Sequence, residues 1–497
     1  MTAYQTLEAR FRRESLLGEA QAMLNWDSST LMPEGAASSR AEQIALLKVL
    51  AHEVLAAPDT ADLLQAADAD RGLDPWQRAN LREMRREWLH TTAVPPDLVE
   101  AFTRACSACE MVWRKARPAA DFALVLPSLK EVLRLVREVG DAKAALLGKS
   151  PYEALLDEYE PDGSTAAIDR LFADLAAVLP GLIDGVLARQ RGQPEPLPLG
   201  EHFPVEQQRL LGVELMRRLG FDFDHGRLDI SLHPFCGGTP DDVRITTRYD
   251  EANFTRALMG VLHETGHALY ERGLPAQWRH QPVGVARGMS LHESQSLLVE
   301  MQACRSREFV EFLAPILREA FGGSGPAWDA FNLHRIYTRV ERSFIRVDAD
   351  EVTYPAHVIL RYRLERAMIA GDLALADLPE AWNTGMRELI GITPPTDREG
   401  CLQDIHWYDG AWGYFPTYTL GAMTAAQLFA AAKRADPSIL PSVAKGDFAP
   451  LLKWLREHVH GRGSLLSTDA LIREATGAPL DAAVFETHLR ERYLGDR

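Results

Sequence analysis

The feature that most restricts the fold is His263-Glu264-Thr265-Gly266-His267, two imidazoles four residues apart inside a run of helical periodicity. On a helix that spacing stacks both rings on one face, one turn apart, where they can share a metal ion. The surrounding sequence predicts such a helix over 251–272. Asp250 is its N-cap, no proline interrupts it, and Gly273 with Pro275 stops it. Phe254, Leu258, Val261, Leu262 and Leu269 recur at helical spacing, so one stripe packs in a core. Polar groups in that setting are costly unless satisfied, and a metal satisfies them; a helix with two unrelated histidines does not. The chemistry expected is that of a zinc hydrolase, with Glu264 as the base that takes a proton from water.

Catalytic zinc usually has three protein ligands. A third histidine six residues after His267 is excluded, because Tyr270 stands where the glycine of that pattern belongs and Gly273 where the histidine belongs. A glutamate from a later helix is the alternative. His292-Glu293-Ser294-Gln295-Ser296 opens such a helix, with Ser290 as N-cap and Leu291, Leu297, Leu298 and Met301 as its apolar stripe. Glu293 is the preferred third ligand, and Glu300 is the runner-up.

This pair of motifs resembles the carboxypeptidase Taq family of zinc metallocarboxypeptidases. Further matches are His233-Pro234-Phe235, the D-x-R-x-T segment Asp242 to Thr246, Ile345 to Glu351, and the G-x-x-Q-D-x-H-W segment Gly400 to Trp407. Leu24-Asn25-Trp26-Asp27 with Met32-Pro33 is similar to the family's opening helices. The resemblance spans nearly the whole chain. It implies His263, His267 and Glu293 as metal ligands, Glu264 as general base, one zinc per chain with cobalt or manganese as substitutes, and a homodimer.

Composition narrows the partners. The 497 residues carry a formal net charge of -16, which argues against a nucleic-acid partner because phosphate binding needs a basic surface. Residues 1–14 are polar, with neither an apolar stretch nor a small-residue cleavage site, and no run of about 18 apolar residues is apparent. The expectation is a cytoplasmic protein without a membrane span. Five cysteines are too few for a disulfide framework. Cys106 and Cys109 form a CxxC within a helical segment, which reads as packing thiols rather than a metal or redox pair.

The fold class expected is mainly α: a large helical peptidase with a deep cleft and a small antiparallel sheet beside the metal helix. It reads as a single catalytic domain, or two helical lobes flanking the cleft, comprising a helical block 1–190, a proline-rich linker 192–204, a metal-site region 205–420 and C-terminal helices 421–497. The turns at 32–35, 94–96 and 160–163 punctuate the first block. Strands are expected at 228–233 and 243–249, joined as a hairpin through turn residues 236–241, with an edge that would accept an extended peptide. Later helices are expected at 330–346, 355–369 and 451–460.

Peptide hydrolysis also needs an oxyanion donor. The segment His406 to Tyr418 is dense in aromatics and glycine, and Gly413-Tyr414 looks like the glycine-tyrosine element of related zinc oligopeptidases. Tyr414 is the first candidate donor, Tyr418 the second, and His406 another. A carboxypeptidase must read a free carboxylate, which an arginine fork does bidentately. Arg346 leads, with Arg244 and Arg361 as alternatives, while Asp350 and Glu351 are candidate acceptors for a ligand imidazole. The expected activity is removal of single residues from peptide C-termini with broad specificity. The rival enzyme is an oligopeptidase cutting internally, and the rival of another class is a helical binding protein with a dead metal site.

Overall fold

A computed structural model describes residues 1–495, and the chain folds mainly as helices. Local signals account for many helix ends: Asp74 caps Pro75–Thr92 through a capping box with Gln77, and Ser150, Ser306 and Ser467 cap later helices. The interior divides into two large apolar cores. One gathers the helices Pro96–Ala119, Phe122–Leu147, Thr165–Arg191 and Tyr354–Ala370, and the other is built around Phe254–Gly273 and Pro416–Ala435.

The 27-residue helix Thr165–Arg191 has a window of mean hydropathy 1.8 and is, by length and composition only, apolar enough to cross a membrane, although acidic residues interrupt it. It buries Ile168, Phe172, Leu175, Leu179 and Leu182 in the first core, one stripe at helical spacing. Residues 192–204 form no regular element, as their prolines dictate. They are nonetheless tied down, since Leu197 exchanges two backbone hydrogen bonds with the Asn332 amide at 2.7 and 2.9 Å.

The sheet differs from a simple hairpin. Strands β1 (Gly226–Ile230), β2 (Cys236–Thr239) and β3 (Asp242–Thr247) stand in the order β1-β3-β2, with β1 parallel and β2 antiparallel to β3. The glycine-rich stretch expected as a turn is itself a strand. Gly238, at φ 88°, supplies the left-handed residue that lets β2 double back tightly on β3, where a Cβ would lie 2.1 Å from the Asp242 carbonyl oxygen. The helix expected over 330–346 ends at Tyr337, after which the chain runs irregularly to a short 3₁₀ turn at Arg346–Asp348. Val340 is held there by the Gln190 amide rather than by a helical neighbour.

Candidate active site

The motif helix, Phe254–Gly273, starts later than Asp250 suggested, with Asn253 accepting from the Thr255 amide as its N-cap. Its buried stripe fixes it between the second core and the sheet. Gly266 then has a purpose. A Cβ there would lie 2.5 Å from the Gln295 carbonyl oxygen, so its absence lets the helix Gly288–Leu297 cross in direct contact. Ser290 does not cap that helix; its hydroxyl and amide both bond Glu160. On the far side, Gly421 of Pro416–Ala435 leaves room for Glu293, whose Cβ and Cγ would sit 2.9 Å from an added methyl.

These crossings bring Glu293 to the two imidazoles. Its Oε2 lies 3.4 Å from His267 Nε2 and 3.9 Å from His263 Nε2, and one donor atom from each of the three residues falls within 4.8 Å of the others. Two imidazoles and a carboxylate converging on one point form a donor set that suits a divalent ion with an open coordination position. Glu300 stands elsewhere. After Leu297 the crossing helix widens into a π-helical turn, Leu298–Ala303, which turns Glu300 onto the opposite ring nitrogen, His263 Nδ1, at 2.9 Å. Its other oxygen accepts from Arg305 at 2.5 Å. Glu300 therefore orients an imidazole from behind. Asp350 and Glu351 do not: Asp350 caps backbone amides at Glu341, Val352 and Thr353, and Glu351 is taken up by Gln302, His488, Arg492 and Tyr493. His267 instead stacks on His292 with centroids 4.5 Å apart.

The electrostatics favour a cation. Burial works against a charged His263, but the carboxylates of Glu300, Glu293 and Glu264 outweigh it and push the imidazole up to about 10. Glu264 is 8% exposed, and burial pushes its carboxyl up to about 7.

His263, Glu264, His267 and Glu293 line a cavity of about 700 Å³ together with Phe235, Cys236, Arg305, Arg346, Tyr354, Tyr414 and Tyr418. Tyr414 and Tyr418 face each other edge to face at 5.2 Å, and burial raises both hydroxyls. His406 does not line the cavity. It packs on Phe415 at 4.6 Å with Nε2 3.3 Å from the Tyr418 hydroxyl, and burial lowers it to about 4. The structure thus sets His406 behind Tyr418 rather than in the cavity wall.

Of the three arginines, only Arg346 reaches the cavity. Arg244 pairs with Asp242 at 2.6 Å and lies 4.5 Å over the Trp26 ring, so it ties the first helix to the sheet. Arg361 is fully buried, bonded to Asp404, Gln403 and the His357 carbonyl. The Asp404 carboxylate accepts from Arg346 at 2.9 Å and from Arg361 at 2.6 Å, two guanidiniums on one acid. A surplus positive charge is left in a dry setting, and Arg346 is the member that faces the cavity.

Several contributors escaped the sequence reading. Asp404 and Gln403 lie within a motif that was visible, but their partners are some 40 to 60 residues away in the chain. Tyr354 and Arg305 carried no local signal, and His292 was visible only as the first residue of the motif that supplies Glu293. Glu365 is fully buried and accepts from Trp407 Nε1, the Tyr152 hydroxyl and the Gly413 amide at 2.7, 2.8 and 2.7 Å, anchoring the loop before Tyr414 at both ends. Gly413 itself has φ 90°, and a Cβ would lie 2.9 Å from the Leu156 amide nitrogen.

Residues 6–493 match the model of the carboxypeptidase Taq (M32) metallopeptidase family. Thermostable carboxypeptidase 1 of Thermus thermophilus is 38% identical over 502 residues, covering 99% of this chain and 98% of that one. Carboxypeptidase 1 of Bacillus subtilis is 34% identical, covering 97% and 96%. Among solved structures, Trypanosoma cruzi metallocarboxypeptidase 1 superposes with a TM-score of 0.97 at 42% identity, covering 99% of both chains. The M32 carboxypeptidase of Deinococcus radiodurans gives a TM-score of 0.93 at 36% identity, covering 99% of this chain and 98% of that one. With motifs, helical architecture and full-length similarity in agreement, this chain belongs to the carboxypeptidase Taq (M32) family of metallopeptidases.

Proposed function

We propose that the chain is a zinc carboxypeptidase that removes single residues from peptide C-termini, with His263, His267 and Glu293 holding the metal. The observation that carries this reading is Arg346: a buried guanidinium with surplus charge in the same cavity as the His-His-Glu cluster. A peptide carboxylate supplies the missing anion, and a planar fork binds it bidentately. The relatives are named carboxypeptidases, which favours this reading over internal cleavage.

When bound, zinc would lower the pKa of water and polarise the scissile carbonyl. Glu264, held by burial near neutrality, takes the proton of the attacking water and delivers it to the leaving amine. The Tyr414 hydroxyl donates to the oxygen on which negative charge develops, and Tyr418 buttresses it. Arg346 fixes the terminal carboxylate, which sets how far the chain enters and so which bond is cut. Five free cysteines support a reducing, cytoplasmic location. The homodimer is likewise proposed, by family resemblance, and sedimentation would test it.

The deciding experiment compares a free-acid peptide with its C-terminal amide. The amide is expected to be cleaved far more slowly, and Arg346→Ala to narrow that ratio by slowing the free acid selectively. Equal cleavage of both by the unmodified enzyme would sink the carboxypeptidase reading. A ratio preserved in Arg346→Ala would leave the role to Arg305, the other guanidinium in the cavity.

A further inference from the structure

We infer that a second cavity, on the far side of Arg492 from the catalytic cleft, is a binding site for a polyphosphate anion. The cavity is about 410 Å³, within the range of small-molecule sites, and shares no lining residue with the catalytic one. It lies where the end of Thr165–Arg191, the proline-rich connector, the helix Ala330–Tyr337 and the C-terminal turn meet.

Its charge is the opposite of the molecule's. In a chain of net charge -16, seven arginines among the described residues line this one cavity against two glutamates. Four of the seven are engaged: Arg339 pairs with Glu195 and Glu341, Arg342 with Asp184, Arg492 with Glu351, and Arg335 with the Pro194 carbonyl. The guanidiniums of Arg189, Arg191 and Arg307 have neither a hydrogen bond nor an ion pair among the described residues, although they line the same space. Like charges gathered in a concavity repel unless an anion joins them. His334, also in the lining, is held down to about 4 by burial and by Arg492 and Arg307, so it stays neutral and can donate one hydrogen bond to a phosphoryl oxygen.

The number of free guanidiniums selects the ligand class. Three unengaged forks exceed what a single carboxylate needs and match several phosphoryl groups, which guanidinium binds in planar, bidentate fashion. The rim adds an aromatic platform, for Phe331 is 75% exposed and packs against the Arg335 guanidinium at 5.7 Å. A planar base attached to the polyphosphate would stack there. The shared chemistry is therefore a chain of phosphates, carried by inorganic polyphosphate or by a purine nucleotide.

Calorimetric titration of the metal-loaded enzyme with tripolyphosphate and with ATP tests this, in excess magnesium so that neither strips the active-site metal. Saturable binding is expected, weakened at least tenfold (about 1.4 kcal/mol) by Arg307→Ala or Arg191→Ala, with peptide hydrolysis unchanged in both variants. Tighter binding of ATP, reduced to the tripolyphosphate level by Phe331→Ala, would assign the nucleotide; equal affinities would assign the bare phosphate chain. No saturable binding of either probe at concentrations on the order of 1 mM, or affinity unaffected by both arginine substitutions, would overturn the proposal.

Discussion

Glu365→Gln probes how the loop before Tyr414 is held, and its effect should change with pH. One Glu365 oxygen accepts from both the Tyr152 hydroxyl and the Gly413 amide, and the other accepts from Trp407 Nε1. A glutamine has only one accepting oxygen, so either Trp407 or Gly413 faces a second donor. A buried donor left unmet costs roughly 1–3 kcal/mol. Burial also pushes the Glu365 carboxyl from the ordinary 4.5 up to about 7. Because the folded value is raised, its stabilising contribution is full below pH 4.5, declines as pH rises, and is lost above about 7. At about 1.4 kcal/mol per pH unit, that decline is on the order of 3 kcal/mol. Glutamine does not titrate. Urea unfolding followed by tryptophan fluorescence should therefore show the variant less stable than the parent by roughly 1–3 kcal/mol at acid pH, with the gap closing or inverting above neutrality. A gap that stays constant between pH 5 and pH 8 would refute the assignment of the rise to Glu365. Because Tyr414 follows Gly413 directly, turnover should also fall while metal content does not.

Glu264→Gln keeps shape and metal but removes the base, so turnover should fall by about two orders of magnitude or more at unchanged metal content, read by kinetics and metal analysis. Chelation should abolish hydrolysis and leave most of the helical circular dichroism, since the two cores do not depend on the ion. Glu293→Ala should lose the metal outright, whereas Glu300→Ala, which frees His263 Nδ1 and unpairs Arg305, should weaken it about 10–100-fold; reversed effects in metal titrations would exchange the two roles. Gly421→Ala should also lower metal affinity, because its methyl would press on the Glu293 side chain, and normal affinity there would show that the helices can part.

The sequence by itself determined the motif helix, the helical class and the pairing of His263 with His267 on one helix face, because these rest on local periodicity and on spacing along one helix. It also marked the segment from His406 to Tyr418 as unusual. Which side chains finish the site was decided only in three dimensions. Arg346, Arg361 and Arg244 looked alike along the chain; the fold gave two of them one shared carboxylate, Asp404, and laid the third on Trp26. Glu293 and Glu300 were both reasonable ligands until the π-helical turn rotated one to each face of His263. The sheet's parallel pairing was hidden as well, since a four-residue glycine-rich strand carries no alternation to reveal it. Local propensity fixes what each segment becomes, but charge pairing across 40 or more residues depends on which helices cross and how closely, and small residues such as Gly266 and Gly421 settle that only after packing.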